Sequence, residues 1–308
     1  MQLWHECELG PGAAKRISCD LFDHFVLTLP YFDRYGLIVA VEPEQERLVG
    51  FVHAGFAANE EGTALDVRLG VVEMIMVHPQ WRGRGIGREL IKRAEQYLQQ
   101  RGALTLLAGP ATACRTDSFY MGLYGGAVPC GFLRSDAAAE PFFLKCGYEP
   151  YTRIERWRAD LSSYKEPINY RLRLILRAAQ AVETGRPSRL TWWWAVRFGR
   201  LDAVSFRLLS KKENKLLAEA SVVEVFLFAE SISRSSWGVA ELEVPETERK
   251  KGYGEALLVE ILRWAKRLQQ AEYVETYVPE SNSAMAKLVR KLRLTQVDEG
   301  VVYRKKEQ

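Results

Sequence analysis

Apolar runs separated by short polar turns predict β-strands along both halves of the 308-residue chain. In the first half these runs lie at residues 35–42, 47–56, 70–77, 103–109 and 152–161. In the second half they lie at residues 190–198, 203–210, 215–226, 237–244 and 271–278. Helical stretches are predicted to open each half, at 13–29 and at 167–184. Strands and helices alternate in this way in α/β proteins.

One segment of the chain recurs 167 residues later. The matched positions are Val77 and Val244, Arg82 and Arg249, Gly85 and Gly252, and Gly87 and Gly254. Behind each turn, apolar residues fall on one stripe of an amphipathic helix. The stripes are Leu90, Ile91, Ala94, Tyr97 and Leu98, and Leu257, Leu258, Ile261, Trp264 and Ala265. Each copy therefore predicts a strand, a glycine turn, a helix and a second strand.

The composition is that of an ordinary globular protein, with 47% hydrophobic and 27% charged residues. We predict two domains, 1–162 and 163–308, divided at the polar stretch "SSYKEP". No apolar run reaches the roughly 20 residues that span a bilayer, and the first residues do not resemble a signal peptide. We therefore expect a cytoplasmic protein without a membrane partner. The five cysteines form no CxxC pair and the four histidines lack ligand spacing, so no metal site is expected.

The two halves differ in charge. Residues 1–162 carry 17 basic and 20 acidic side chains, a net charge of −3, whereas residues 163–308 carry 26 and 19, a net charge of +7. The basic residues of the second half are scattered among acidic ones, which is typical of a solvated surface, so no nucleic-acid partner is expected. A nucleic-acid binder that uses this half and Trp192, Trp193 and Trp194 is the weakest alternative.

The first turn, residues 82–87, has the composition of an anion-binding site. Gly83, Gly85 and Gly87 leave the backbone bare at a predicted helix start, where N–H groups and the helix dipole favour negative charge. Arg82 and Arg84 add charged donors for phosphate oxygens. The spacing excludes a P-loop and a dinucleotide fingerprint. A turn that only needs positive φ is the simpler alternative, but the recurrence of the pattern favours phosphate.

The sequence of the first turn resembles the R/Q-x-x-G-x-G/A motif of the GNAT superfamily of acyl-CoA-dependent N-acyltransferases, and so does the second turn, residues 249–254. The resemblance covers residues 37–158 and 190–305 and implies two tandem GNAT-like domains, each a mixed twisted sheet flanked by helices. It implies that the turn holds the pyrophosphate of acetyl-CoA. The strand before the turn would diverge from the next one, so that pantetheine pairs with it.

The resemblance also implies which residues contact coenzyme A. In the first half they are Met76, Val77, Arg82, Gly83, Arg84, Gly85, Ile86, Gly87 and Asp136, and an N–H near Met76 or Val77 would face the thioester oxygen. The second-half candidates are Val244, Arg249, Gly252, Gly254 and Asn282.

Both halves depart from the family's N-x-x-A-x-x-L/F-Y segment, whose tyrosine often protonates the leaving thiolate. In the first half Asp136 replaces the asparagine and Phe143 the tyrosine; the second keeps Asn282 but has Val289 for the tyrosine and Arg293 for a glycine. Another donor, or water, must therefore act. Candidates are Tyr120 and Tyr124 in the aromatic segment 115–136, which is either a substrate-binding lid or a stabilising excursion.

Glu73 is the candidate general base, because it lies on the strand before the turn and shares a face with Ile75 and Val77. Its counterpart in the second half is Ala240, which cannot accept a proton. The alternative is that Glu73 pairs with a basic neighbour and has no catalytic role.

These features predict an N-acetyltransferase that moves an acetyl group from acetyl-CoA to a primary amine of a small-molecule or peptide acceptor. The first half is expected to catalyse, and the second to be degenerate or supporting. The alternative is a tandem coenzyme A-binding, sensing or partner-binding module with little turnover.

Overall fold

A computed structural model describes residues 1–7, 9–15, 17–167, 169–224 and 236–306 of the chain. The chain forms two compact units. The first consists of Met1–Ile154, Thr191–Arg197 and Asp298–Gln308, and the second of Glu155–Leu190 and Phe198–Val297. Two segments that follow residue 162 in the sequence thus belong to the first unit. A single boundary between residues 162 and 163 does not describe this arrangement.

Strands and helices alternate along the described chain. The strands are β1 (Leu37–Glu42), β2 (Arg47–Ala58), β3 (Leu65–Val77), β4 (Thr105–Ala108), β5 (Phe132–Leu133), β6 (Tyr148–Asp160), β7 (Ala179–Thr184), β8 (Ala203–Ser210), β9 (Leu216–Glu224), β10 (Trp237–Glu243), β11 (Tyr273–Pro279) and β12 (Thr295–Lys305). The helices are α1 (Gln2–Glu6), α2 (Cys19–Phe22), α3 (Ile86–Gln100), α4 (Ala139–Lys145), α5 (Tyr170–Ala178), α6 (Trp192–Phe198), α7 (Tyr253–Arg267) and α8 (Ser283–Lys291). Within the described residues, no helix is long and apolar enough to cross a membrane.

The first unit contains a mixed sheet with the strand order β1-β2-β3-β4-β12. Strands β1, β2 and β3 are antiparallel, β3 and β4 are parallel, and β12 pairs with β4 in antiparallel orientation. Helix α3 packs on β2 and β3 through the apolar stripe that the sequence predicts, with Leu90, Ile91 and Leu98 buried. This packing fixes the start of α3 beside the end of β3.

The second unit repeats this arrangement with the strand order β11-β10-β9-β8-β7. Strands β10 and β11 are parallel and the others are antiparallel. Helices α3 and α7 both have 15 residues, and they begin at the matched positions Ile86 and Tyr253. The predicted α/β fold, with the same mixed sheet and helix in both units, is confirmed.

The apolar run 190–198 is helix α6, so the predicted strand is wrong. The Thr191 hydroxyl accepts a hydrogen bond from Trp194 N at 3.1 Å, and a threonine in this position favours a helix start. Trp193 and Trp194 are both buried. A short apolar run that is buried on several sides has the same pattern in a helix as in a strand, so periodicity alone does not separate the two.

Two predicted helices are shorter than expected. The one at 167–184 becomes α5 followed by β7, because the second part pairs along β8. The one at 13–29 is reduced to α2 and a π-helical turn at Asp23–Leu27. Residues 225 and 226 of the predicted strand 215–226 lie outside the described residues.

Candidate functional site

The pairing of β3 with β4 ends five residues before β3 itself ends, in the part of β3 where the resemblance implies a divergence. Their parallel pairing runs from Leu69 to Val72, whereas β3 continues to Val77. The residues of β3 from 73 to 77 therefore do not pair with β4. An extended ligand can insert beside a strand in such a gap and pair with its backbone.

A β-bulge in β3 lies at Glu73. His53 of β2 pairs with Met74, and the next residue of β2, Ala54, pairs with Val72, so Glu73 is the extra residue in this register. A bulge changes the direction of the side chain that it carries and bends its strand. Glu73 therefore marks both the end of the β3–β4 pairing and an irregularity in the β2–β3 pairing.

The first turn is open at two of its glycines. Gly83 has φ +77° and Gly85 has φ +84°, in the left-handed region that favours glycine. A Cβ built at either position would have no atom of the described chain within 4 Å. Because Gly85 is the N-cap of α3, the N–H groups of the first helical turn border this open space.

A groove of about 620 Å³ follows the end of β3 and the first turn. It brings together all but one of the first-half residues that the resemblance implies for coenzyme A, namely Met76, Val77, Arg82, Gly83, Gly85, Ile86, Gly87 and Asp136. The exception is Arg84, whose guanidinium carbon lies 4.7 Å from the centre of the Trp81 ring. The Asp136 carboxylate accepts a hydrogen bond from Ala138 N at 3.1 Å and so also shapes the approach to α4.

The matched arginines of the two turns brace the strand ends. Arg82 Nε donates to Val77 O at 3.0 Å, and Arg249 Nε donates to Val244 O at 3.3 Å. The shared contact gives the arginine a structural role in both halves. Arg88, which was not predicted, also lines the groove. Its place in the first turn of α3 is the sequence signal that could have identified it, because a cation there lies near any bound anion.

Phe143, at the position of the family's usual tyrosine, packs in the core. Its ring centre lies 4.6 Å from that of Phe132 and 4.9 Å from that of Tyr303. The neighbouring ring of Phe142 lines the groove and would touch a Cβ at Gly87. Residues 142 and 143 of α4 thus bring two phenyl rings and no hydroxyl group to the groove.

The Glu73 carboxyl group is fully buried, and neither of its oxygens has a hydrogen-bond partner among the described residues. The nearby Ser118 hydroxyl donates to Phe56 O at 3.1 Å and so is engaged elsewhere. Burial raises the pKa of Glu73 well above its usual range; the Ser118 hydroxyl is close enough to lower it in part, and the negative charge of Asp117 raises it further. Glu73 has no basic partner among the described residues, so the alternative in which it pairs with a basic neighbour is not what the structure contains.

His53 and Tyr120 lie beside Glu73, and we call these three residues the Glu73 cluster. The Tyr120 hydroxyl lies 3.1 Å from His53 Nδ1, while His53 Nε2 has no partner among the described residues. Burial lowers the pKa of His53 to about 3, so the ring is neutral at physiological pH. Burial and the charge of Glu73 raise the pKa of Tyr120. No spacing pattern pointed to His53, since a lone histidine in a strand is usually a core residue.

Tyr124 is engaged away from this cluster. Its hydroxyl accepts a hydrogen bond from Leu133 N at 3.1 Å, and its backbone bridges to Ala13. Burial raises the pKa of Tyr124. The segment that contains both tyrosines is buried without interruption from Thr116 to Leu133. Of the two predicted roles for this segment, the stabilising excursion matches this burial, because its aromatic side chains fill the interior.

The second turn is covered by its own unit. Gly252 has φ +91°, but a Cβ there would lie 3.0 Å from Ile175 Cδ1 of α5. Arg171 Nη2, also from α5, donates to Lys250 O at 3.2 Å. Lys250 takes the position of Gly83 and adopts φ +63°, a conformation that costs a lysine more than a glycine. The space that is open at the first turn is therefore filled at the second by a helix of the same unit.

The other second-half candidates have structural contacts. The Asn282 side chain accepts from Met285 N at 3.0 Å and caps α8. In β10 the bulge residue is Ala240, since Val239 pairs with Val222 and Glu241 pairs with Ser221. Ala240 and Ser221 thus occupy the positions that Glu73 and His53 occupy in the first unit.

Part of the first half of this sequence is similar to known proteins, and the fold of the chain is similar to solved structures. Residues 8–122 match the model of the acetyltransferase (GNAT) family. A stretch of 77 residues is 36% identical to the mycothiol acetyltransferase of Thermobifida fusca (strain YX), and it spans 24% of this chain and only 23% of that relative.

Two solved structures are similar over nearly the whole chain. A tandem GNAT protein from the clavulanic acid biosynthesis pathway superposes with a TM-score of 0.66 at 18% identity, covering 98% of this chain and 92% of its own. A GCN5-related N-acetyltransferase from Sphaerobacter thermophilus superposes with a TM-score of 0.60 at 16% identity, covering 99% of this chain and 90% of its own. At these identities the likeness concerns the fold.

Proposed function

From the premise that residues 8–122 belong to the GNAT acetyltransferase family and that the chain has the tandem GNAT fold, we propose an N-acetyltransferase. Its first unit transfers an acetyl group from acetyl-CoA to a primary amine of a small-molecule or peptide acceptor. The observation that carries this proposal is the open first turn next to the part of β3 that extends beyond its pairing with β4.

The groove has features that fit an acyl-CoA. Gly83 and Gly85 leave space against the backbone at a helix start, where a pyrophosphate is favoured by free N–H groups and the helix dipole. Arg88 adds a cation on the same groove. Met76 and Val77 lie on the part of β3 beyond its pairing with β4, so their backbone N–H groups are candidates for the thioester oxygen.

Glu73 is the candidate base because it is buried, unpaired among the described residues and four residues before the end of β3. Neither Glu73 nor Tyr120 lines the groove itself, so the acceptor amine would have to reach them from its inner end. Attack by an amine nitrogen on the thioester carbon forms the amide, releases the coenzyme A thiolate and requires the amine to lose a proton. A carboxylate accepts that proton only when ionised, and the raised pKa of Glu73 makes it a stronger base than an ordinary glutamate. Tyr120 is the candidate donor to the thiolate.

The second unit is proposed to support the first and to bind coenzyme A weakly or not at all. Its turn keeps Arg249, Gly252 and Gly254, but Ile175 fills the space above Gly252. It also has Ala240 where the first unit has its candidate base. We therefore assign catalysis to the first unit.

Two measurements test the proposal and separate it from a binding module. Calorimetry with acetyl-CoA and desulfo-CoA should give one high-affinity site per chain. Thiol release should then depend on an amine from a panel of amino sugars, polyamines and peptides. Absence of binding at millimolar ligand contradicts the fold-based proposal as a whole. Tight binding without thiol release across the panel favours the coenzyme A-sensing or partner-binding alternative.

A further inference from the structure

An ion pair that is buried in the first unit joins residues from opposite halves of the sequence. Arg197 Nη1 of α6 contacts Asp117 Oδ2, and the two side chains are 4% and 0% exposed. The Thr112 hydroxyl also donates to Asp117 Oδ2, at 2.9 Å. A charge in such surroundings is strongly destabilising without its partner, so each of the two residues requires the other.

Helix α6 is fixed to the first unit at both of its ends. Trp193 N donates to Gly62 O at 2.9 Å near its start, and the Arg197 ion pair holds its last turn. Tyr31 connects the same helix to the buried segment, because its ring centre lies 5.5 Å from that of Trp193 and its hydroxyl donates to Ser118 O at 2.5 Å. Helix α6 therefore contacts Asp117 directly, and it reaches Ser118 through Tyr31.

These two residues directly precede the part of the segment that enters the Glu73 cluster. Phe119 packs on His53 with ring centres 4.4 Å apart, and Tyr120 places its hydroxyl on His53 Nδ1. Tyr120 adopts φ +63°, which a tyrosine rarely does unless its surroundings impose it. Tyr120 O accepts hydrogen bonds from Leu123 N at 3.0 Å and from Tyr124 N at 3.1 Å, and the contacts of Asp117 and Ser118 hold the residues that lead into this turn.

We propose that Arg197 is a positioning residue for the first unit's candidate site, acting through Asp117 to hold the segment that carries Tyr120. This role rests on the proposed function of Glu73 as a base. It explains why residues 191–197 belong to the first unit although they follow residue 162 in the sequence. It also means that the second half contributes a side chain on which the chemistry of the first unit depends.

The ion pair between Asp117 and Arg197 should affect the pKa of Glu73 as well as the backbone conformation of the segment. The titratable and charged groups around Glu73 are His53 of β2, Asp117 and Tyr120 of the buried segment, and Arg197 of α6 behind Asp117. The Asp117 charge raises the pKa of Glu73. Because Arg197 forms an ion pair with Asp117, its positive charge should offset that effect. Removal of Arg197 should therefore raise the pKa of Glu73 further, so that the base ionises at higher pH.

The test compares Arg197→Gln with Arg197→Lys and with the double variant Asp117→Asn/Arg197→Gln. We expect Arg197→Gln to lower kcat by about 10²-fold through displacement of the segment, with KM for acetyl-CoA within about twofold of the wild type. The acid limb of the pH profile of kcat/KM should move upward by about one unit. In Arg197→Lys the acid limb should lie at the wild-type pH, because lysine keeps the positive charge. In the double variant it should also lie near the wild-type pH, because both charges of the ion pair are removed.

A second measurement keeps the test independent of turnover. The Glu73 carboxyl carbon is titrated by NMR in ¹³C-labelled full-length protein, with Glu73→Gln to assign the signal and Arg207→Gln as the control. Arg207 forms an ion pair with Glu219 in the second unit. We expect the Glu73 titration to move upward in Arg197→Gln and to be unchanged in Arg207→Gln.

The outcomes separate the two levels of the proposal. An unchanged Glu73 titration in folded Arg197→Gln overturns the role of Arg197, whatever the activity. If Arg197→Gln does not fold, the double variant is compared with Asp117→Asn, which differs from it only at Arg197: a higher Glu73 titration in the double variant supports the role, and equal titrations overturn it. A wild-type protein that shows the expected titrations but no amine-dependent thiol release contradicts the proposed function, and the electrostatic link from Arg197 to Glu73 then stands alone.

Discussion

The first and second turns have nearly the same backbone and different surroundings. Gly85 and Gly252 cap helices of equal length with similar positive φ, and each is preceded by an arginine that braces the strand end. Above Gly85 the space is open, whereas above Gly252 it is taken by Ile175. A sequence motif thus specifies the shape of a turn, and a neighbouring helix decides whether the turn can receive a ligand.

The β-bulges of β3 and β10 also have the same backbone arrangement and different side chains. Glu73 and Ala240 occupy equivalent bulges, and their cross-strand neighbourhoods contain His53 and Ser221 respectively. The first unit contains a buried carboxyl group, that of Glu73, and a buried imidazole nitrogen, His53 Nε2, that lack hydrogen-bond partners among the described residues. Such groups cost stability, so their presence in one copy of a repeated fold points to a functional use there.

The largest expected effect distinguishes the two turns directly. Gly85→Val places a branched side chain at φ +84° and in the open space, so we expect loss of acetyl-CoA binding and of turnover. Gly252→Val should leave turnover within about tenfold, a barrier change of ~1.4 kcal/mol. Calorimetry and thiol release measure both, with circular dichroism to confirm folding. If the Gly252 variant is inactive and the Gly85 variant is active, the assignment of the two units is reversed.

The next effect distinguishes the two bulges. Glu73→Gln removes the proton acceptor and keeps the side-chain shape, so we expect kcat to fall by about 10²–10³-fold with unchanged acetyl-CoA affinity. In the wild type, kcat/KM should rise with pH through the raised pKa of Glu73. Glu241→Gln, on the equivalent strand of the second unit, should change kcat by less than about threefold. Equal losses in the two variants would argue against a base at the bulge.

A smaller effect should follow from opening the second turn. Ile175→Ala removes the side chain whose Cδ1 lies 3.0 Å from a Cβ position at Gly252. We expect a second acetyl-CoA site that is at least about tenfold weaker than the first, a difference of ~1.4 kcal/mol. Calorimetric stoichiometry gives the readout, and Leu174→Ala, on an exposed position of the same helix, is the control. A stoichiometry of one in Ile175→Ala would mean that Lys250 or Arg171 suffices to close the turn.

The last effect concerns folding stability and not binding or turnover, so it is measured on a separate scale from the three above. The pKa of His53 is lowered to about 3 in the folded protein from an ordinary value of 6.5, so the unfolded chain binds more protons between these values. Stability contributed by the neutral ring is present above pH 6.5 and is lost as the pH falls toward 3. We expect a loss on the order of 1 kcal/mol per pH unit in this window. His53→Ser, which copies the second unit, should reduce that slope in urea unfolding, and an unchanged slope would assign the acid sensitivity to other groups.

The repeated strand, turn and helix could be predicted from the sequence because their determinants are local. The glycines and the apolar stripe that follows them lie within a single stretch of chain, and α3 and α7 begin where that pattern places them. Seven of the predicted groove residues lie in or directly before this stretch, whereas Asp136 comes from a distant part of the sequence and Arg84 lies outside the groove. Local pattern and observed structure agree here because burial and helix capping act on neighbouring residues.

The remaining features depend on contacts between distant parts of the sequence. Helix α6 was predicted as a strand because its hydrogen bond to Gly62 and its ion pair with Asp117 are invisible to periodicity. Ile175 lies far along the chain from Gly252 and carries no sign that it covers a turn. His53 joins the Glu73 cluster only because the β2–β3 register places it beside the bulge.

The pairing of β12 with β4 has a consequence for how the protein is made. Tyr303 lies opposite Ala108, so this edge of the first unit's sheet is completed by residues that leave the ribosome long after β4. At roughly 5–20 residues per second, synthesis of the intervening chain takes on the order of ten to forty seconds. During that time one edge of β4 has no partner strand, and unpaired strand edges associate with other chains. We therefore expect association before β12 is synthesised to lower the yield of folded protein.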